Sequence, residues 1–489
     1  MLNFKSIFFS IVAFCAVNIS FAQKGTQSPY SSFGLGERNY EGYAAFSSMG
    51  GVSLANTDST LVNTTNPASY SYLSRHLPVL QIGMNGKLSN FSTASATTSQ
   101  RHFGLNQFQL GLPIMKNWGV GIGLKPYSFT GYTVTNYTTN SDGDTTMQAV
   151  NEGSGGVRIA NFGISYRPLN LKKIASVKRK EVILDPVTNK KTVRDTVISG
   201  HVTQHFSLGV NGNYLFGTSE QIRSTEFIPS SLDIFNARVV DGIRVSGLST
   251  EFGVNYNYGF KSTKLSRNLA IGATYAPATE VRAFQDLYSF SYTGSFYRGQ
   301  TVSVKDTIEL IQDDQGLVYK PEALGLGLQY QFTPYNSSSS LRLAADFKIE
   351  RWSTFYTQFS DVQNPGGLKD RMSIGVGFER APTISALVDP DNFFSGLTYR
   401  LGFNYAQTEL LVKNNLGEEI ALDNYGMSFG LSIPIRPGVS NTNLNFGGSL
   451  GNLGTTENGI IQERYIGLYV GFSITPERSN RWFLKRKYN

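Results

Sequence analysis

The stretch FQLGLPIMKNWGVGIGL, residues 108–124, decides the fold. Phe108, Leu110, Leu112 and Ile114 share one face of an extended chain, with Gln109, Gly111 and Pro113 on the other. After Lys116-Asn117 the alternation resumes as Trp118, Val120, Ile122 and Leu124 against Gly119, Gly121 and Gly123, which reads as a hairpin with a tight turn. The face opposite the bulky one is small instead of charged. In a soluble sheet with one solvated face that side would carry Lys and Glu. Here the bulky side is the one that must meet the outer solvent, and that solvent is hydrocarbon.

The same period of two recurs along the chain from residue 79. It appears in Leu80–Met84, Ala160–Tyr166, Phe206–Phe216, Phe252–Tyr258, Leu269–Tyr275, Leu324–Phe332 and Leu341–Ile349, then in Met372–Phe378, Leu397–Tyr405, Tyr425–Ile433, Leu444–Leu450 and Ile466–Phe472. With the two strands of the opening hairpin the expected fold is all-β, a 14-stranded antiparallel transmembrane barrel. A sandwich or propeller also alternates, but no repeat of blade length appears. Short links at 115–117, 261–267, 333–340 and 436–441 are expected on the periplasmic side, and 133–153, 218–244 and 277–321 outside, the last two long enough to carry structure of their own. The link 379–396 is long for a periplasmic turn. Residues 168–203 would be a basic periplasmic insertion for which the sequence offers no reason.

Composition agrees, with 50 Gly, 33 Phe, 26 Tyr and 16% charged residues. The net charge of +8 is modest and concentrated in residues 172–194 and Lys485-Arg486-Lys487, so no nucleic-acid partner is expected. Lys5, the apolar run Ile7–Phe21 and Ser20-Phe21-Ala22 read as a signal peptide, residues 1–22, which carries away Cys15, the only cysteine. The remaining divisions are 23–76 ahead of the first strand, 77–475 as the barrel and 476–489 as a basic tail. The expected location is the outer membrane of a Gram-negative bacterium, as a single copy embedded in lipid.

Small residues must then line the lumen, and a wide lumen without filling would leak. Residues 24–76 are rich in Gly, Ala and Ser and lack a pattern able to form a separate core. Within them Gly42, Ala44, Gly50-Gly51, Ala55, Asp58 and Asn66-Pro67-Ala68 resemble the hatch of the FadL family, outer-membrane transporters of long-chain fatty acids and other hydrophobic compounds. That resemblance implies a lumenal hatch, fourteen strands and passive movement of a hydrophobic small molecule past the hatch and sideways through a wall gap made by a kinked strand. Gly50, Gly51, Asp58, Asn66, Pro67 and Ala68 become hatch candidates. Pro126, which cannot donate to a ladder, becomes the gap candidate.

For ligand binding, Phe227, Ile228, Leu232, Ile234 and Phe235 form an apolar group in an external segment, either a landing groove or packing for the rim. Arg342 stands in a charged set with Asp346 and Lys348. Pairing within the set or with the hatch is preferred there to clamping a ligand carboxylate. His76, His102, His201 and His205 are scattered, and no nucleophile elbow, phosphate loop or metal spacing occurs, so no catalytic residue, cofactor or metal is expected. The rival to transport is a barrel of the same build whose external loops dock a protein partner, as an accessory component of a protein secretion system.

Overall fold

The computed structural model describes residues 25–477 and 479 except 41, 185–190, 229–233, 263–265, 335–336, 384–392 and 436–438, with backbone alone over 175–184 and 191–199. The expected signal peptide and nearly all of the basic tail lie outside the described residues.

Fourteen antiparallel strands form the wall: β1 (Val79–Ser92), β2 (Thr97–Met115), β3 (Trp118–Phe129), β4 (Thr145–Leu184), β5 (Lys191–Phe227), β6 (Asn236–Lys261) and β7 (Ser266–Ala276). They continue with β8 (Ala323–Thr333), β9 (Ser339–Glu350), β10 (Arg371–Pro382), β11 (Thr398–Lys413), β12 (Glu419–Ile435), β13 (Thr442–Leu453) and β14 (Gln462–Ile474). Each pairs with its chain neighbour, and β14 returns to β1 in register from Leu80↔Ile474 to Ser92↔Gln462. Closure leaves no end strand unpaired, the condition for a sheet to exist in lipid. The fourteen alternating segments of the sequence map one to one onto these strands.

The side-chain alternation falls as the lipid argument requires. Leu88, Phe162, Leu326, Leu401, Met427 and Leu468 are exposed on the outside of the wall. Their neighbours Gln81, Gln109, Asn161, Asn255, Ser428 and Ser449 are buried within.

Lys116-Asn117 links β2 to β3 at what can be called the turn end, and Asn117 has a positive φ of 68° there. The opposite, or loop, end carries structure of its own in 218–244 and 277–321, and strand in 133–153 as well. Residues expected to be external loops at 133–153 and 218–244 are largely strand, because β4, β5 and β6 run on beyond the apolar belt, and Tyr132–Thr139 pairs with β4. Two further strands, Thr279–Thr293 and Ser303–Lys320, form a hairpin added to β6. The sequence hides these strands since neither face meets lipid, so the apolar alternation ceases while the Thr and Val content remains. The 168–203 insertion is likewise the β4–β5 ladder prolonged past a register shift at Tyr166/Leu169, from Leu169↔Phe206 to Leu184↔Lys191. It is a two-stranded ribbon.

Candidate functional site: the lumen and its wall break

Residues 25–76 fill the barrel from end to end. Near the loop end the Tyr30 hydroxyl donates to the Ile461 carbonyl, Ser128 Oγ donates to the Leu35 carbonyl at 2.7 Å, and Gln221 Nε2 donates to the Ser32 carbonyl at 3.1 Å. Near the turn end Ser473 Oγ donates to the Thr60 carbonyl at 2.9 Å, and Leu73 packs with Val62, Tyr70 and Val79.

The wall glycines are the space this filling needs. A methyl group on Gly121 would lie 2.6 Å from Tyr70 Cζ, one on Gly327 2.6 Å from Leu54 Cβ, and one on Gly375 2.7 Å from the Gly50 carbonyl oxygen. Within the filling itself Gly50 holds a φ of 72°, which any side chain would strain, and its N–H donates to Ser428 Oγ at 2.9 Å. Gly51 follows at φ 77° with open space about it.

The motif Asn66-Pro67-Ala68 opens a 3-10 turn, Pro67–Tyr72. Pro67 occupies the first helical position, where a missing N–H costs nothing. Asn66 is fully buried and its side chain makes three bonds. Oδ1 accepts from the Ala68 N–H at 3.1 Å, while Nδ2 donates to the carbonyls of Leu54 at 2.7 Å and Val254 on β6 at 3.1 Å. Tyr70 of the same turn reaches Asn211 on β5 at 3.1 Å.

Charges fix the remainder. Asp346 Oδ2 accepts the N–H groups of Ser53 and Leu54 at 2.7 and 2.9 Å. Arg342 lies between Asp58 at 3.6 Å and Glu379 at 3.3 Å, and Arg400 completes the chain to Glu379 at 2.7 Å. Burial favours the neutral Asp58 carboxyl, yet the Arg342 guanidinium and the Thr60 N–H and hydroxyl hold it below the usual range. Nearer the loop end Lys87 bridges Glu37 at 3.0 Å and Glu463 at 2.7 Å.

At the β2–β3 seam the wall is interrupted. The ladder between these strands ends at Phe108↔Leu124. Toward the loop end β2 bulges between its partners for Gly83 and Met84, turning Asn106 and Gln107 inward, where Asn106 bonds Asn39 at 2.9 Å and the Gly42 carbonyl at 2.7 Å. Across the seam, β3 slips register with β4 between Pro126 and Ser128. Beyond the slip it keeps β4 on one side, Ser128↔Val157 and Phe129↔Gly156, and takes the filling on the other, Glu37↔Phe129 and Arg38↔Ser128. Arg38 stacks on Tyr127 with its guanidinium carbon 3.4 Å from the ring centroid. Two residues of the N-terminal segment thus stand where a wall strand would continue.

The interior is layered. Around the loop-end mouth Leu35, Tyr127, Val157, Ile159, Trp352 and Phe355 belong to one apolar cluster. Below it two cavities of about 220 and 210 Å³ are lined by charge, the first including Glu37, Lys87 and Arg371, the second Lys125, Glu251, Lys320 and Lys348. The sequence suggested one compact charged set. The structure adds Lys125, Glu251, Lys320 and Glu350, which come from β3, β6, the added hairpin and β9 and meet only when the barrel closes.

The candidate residues fall in separate places. Gly50, Gly51, Asp58, Asn66, Pro67 and Ala68 lie together in the filling, and Pro126 lies at the wall break. Arg342 is on the inner wall against Asp58, away from the proposed apolar group. Phe227 ends β5, its N–H donating to Asn236 Oδ1 at 2.8 Å, and Ile228 follows it. Ile234 and Phe235 are exposed at 49% and 53%, and Leu232 is outside the described residues. Arg38 and Glu37 carried no motif that could have announced them.

Among solved structures the chain is similar to the Ralstonia pickettii toluene transporter TbuX (TM-score 0.48, 14% identity, 89% of this chain and 98% of that one). It is also similar to a Pseudomonas aeruginosa FadL homologue (0.47, 12%, 89% and 98%) and to the CymD monoaromatic hydrocarbon channel (0.46, 12%, 90% and 98%). At these values the ligands of those proteins are not carried over. No curated protein matches the chain. A family model does, over residues 3–175 and 196–489, and its description is BamG where the hatch motif had pointed to FadL; on that match the chain belongs to the BamG family.

Proposed function

We propose that the protein is an outer-membrane channel through which hydrophobic small molecules pass from the loop end into the membrane by way of the wall break. The carrying observation is that β3 leaves β2 at Leu124 and takes Glu37–Arg38 as its partner instead. A compound entering at the mouth meets the apolar cluster around Trp352 and Tyr127, and beside Tyr127 the wall is held by two residues of the N-terminal segment and not by a strand. The charged cavities beneath oppose passage of an apolar molecule straight through, since each bare charge or amide it met would lose water without compensation. In this reading Pro126 withholds a ladder donor at the break, and the segment Gly36–Asn39 is the moving part. The hatch proper, Gly50 to Ala68, stays in place and closes the turn end. Ile234 and Phe235 offer exposed apolar surface at the mouth, and long-chain acids and neutral hydrocarbons are the candidate cargo.

The test is a tether across the moving contact. In a Cys15→Ala background, Arg38→Cys with Ser128→Cys places two thiols at an antiparallel register pair, within the reach of a disulfide. Cells producing the oxidised double variant should take up labelled oleate or naphthalene at least fivefold more slowly, with the rate restored by reductant. Unchanged uptake in the oxidised form would remove the wall break from the mechanism.

One observation favours the docking alternative. Ser303–Lys320 pairs along its length with Thr279–Thr293 but on its other side only through Gly316–Tyr319, leaving an open edge beyond the mouth. A protein that survives purification in mild detergent and is lost on deletion of residues 303–314 would support that reading.

A further inference from the structure

The outer wall carries a second candidate site, away from both lumen and mouth. Arg101 on β2 and Arg464 on β14 are exposed on the outside of the barrel, on either side of β1. Register places them closely: Leu88 faces Arg101 and Ile466, and Asn90 faces Ser99 and Arg464. From strand spacing and rise their Cα atoms lie about 12 Å apart, so both side chains can converge on one small anion. Among the described residues neither arginine has an ion-pair or hydrogen-bond partner. The outward positions beside them on β1, β13 and β14 are Leu88, Asn90, Leu450, Asn452 and Ile466, none acidic.

These arginines mark the border of the apolar belt on the loop side. Along β14 the outward residues Ile466, Leu468, Val470, Phe472 and Ile474 continue the hydrocarbon face without a charge. A groove of about 960 Å³ opens at this border, with Leu88, Leu450, Ile466, Met427 and Phe403 along it and Arg101 and Arg464 at one side. Met427 is 67% exposed and Leu450 54%. An arginine facing lipid is costly unless it reaches the headgroup layer or an anionic partner. Two of them, unpaired and adjoining an apolar groove, match a molecule with charge at one end and hydrocarbon at the other.

We propose that this groove binds a phosphate-bearing lipid of the loop-side leaflet, its phosphate between Arg101 and Arg464 and an acyl chain along Ile466, Leu450 and Met427. The lipid bridges β14, β1 and β2, the seam where the two ends of the wall meet. The site is separate from the transport path, because Arg101, Arg464, Ile466, Leu450 and Met427 all stand on the outer face of the wall.

The experiment uses the full chain in nanodiscs of equal phosphatidylglycerol and phosphatidylcholine with identical acyl chains, released in native mass spectrometry. Wild type should retain phosphatidylglycerol at least tenfold over phosphatidylcholine, and R101Q/R464Q should bring the ratio near one. M427S/L450S should lower retention of both lipids. Millimolar inorganic phosphate should not displace the bound lipid; displacement would show a free-anion site and overturn the acyl part of the proposal. Equal retention of both lipids by wild type, or an unchanged ratio in R101Q/R464Q, overturns it altogether. Should the double variant fail to fold, wild type alone decides by electron spin resonance. Spin-labelled phosphatidylglycerol should show a larger motionally restricted fraction than spin-labelled phosphatidylcholine, and equal fractions refute the site.

Discussion

Replacing Asn66 by Ala tests whether one amide ties the N-terminal filling to itself and to the wall. The substitution removes the cap on the Pro67–Tyr72 turn and the donor that serves the Leu54 and Val254 carbonyls. A lost cap costs about 1 kcal/mol, and each lost hydrogen bond about 1 kcal/mol net, more if the carbonyl stays dry. The sum is roughly 3 kcal/mol, a factor of about 100 in a local opening equilibrium. Hydrogen exchange followed by mass spectrometry reads that opening directly, because peptides spanning Leu54–Leu73 contain the Ser69 and Leu73 N–H groups bonded within the turn. Protection there should fall by about two orders of magnitude, while wall peptides such as Phe446–Leu453 should be unchanged. A change below threefold in the turn would refute the claim that Asn66 holds the segment. An equal loss in the wall would show that filling and wall open as one unit.

A side chain on the lumen face should act on the filling before the wall. Gly121→Val sets bulk against the Tyr70 ring, and overpacking of this kind costs about 1–3 kcal/mol. Limited proteolysis should cut within residues 42–76 while the heat-modifiable gel mobility of the barrel persists. The reverse substitution of place, Leu326→Arg on the lipid face, should cost about 2–4 kcal/mol, read as a lower urea midpoint for folding into bilayers, with the filling untouched where folding succeeds. Asp58 gives a pH dependence. Its folded carboxyl titrates below the unfolded one, so the Arg342 tie contributes fully above about pH 4 and is lost as pH falls through the lower folded value. Exchange protection over residues 56–65, corrected for intrinsic rates, should hold from pH 7 to about 4 and drop below that. Arg342→Met should remove this dependence.

The wall was legible because lipid imposes a simple rule on each strand separately. Phe108 to Leu124 can be read without knowing what lies beside it, and the count of fourteen follows by repetition. The lumen was not legible in the same way. Asn66-Pro67-Ala68 marks the filling through a local turn, but its partners on β5 and β6 are more than 140 residues away. Lys125, Glu251 and Lys320 look like isolated charges along the chain, and only closure makes them neighbours. The prolonged β4 and β5 escaped for a different reason. Beyond the membrane both of their faces are polar or contact other protein, so the contrast that betrays a lipid-facing strand is missing. The wall break was half visible: Pro126 signals a missing donor, whereas the bulge at Asn106 and the replacement pairing by Arg38 depend on tertiary contacts.

The passage of residues 25–76 from mouth to base fixes an order of events in the making of the molecule. A ring that ends by joining its last strand to its first cannot later admit a chain bonded to β3, β5, β6 and β9 through its middle. That chain must already lie in position as the seam shuts, so the wall is wound upon it. The N-terminal segment is therefore a mandrel for assembly before it is a stopper, and sequence changes within it should lower the yield of finished barrels even where the finished barrel tolerates them.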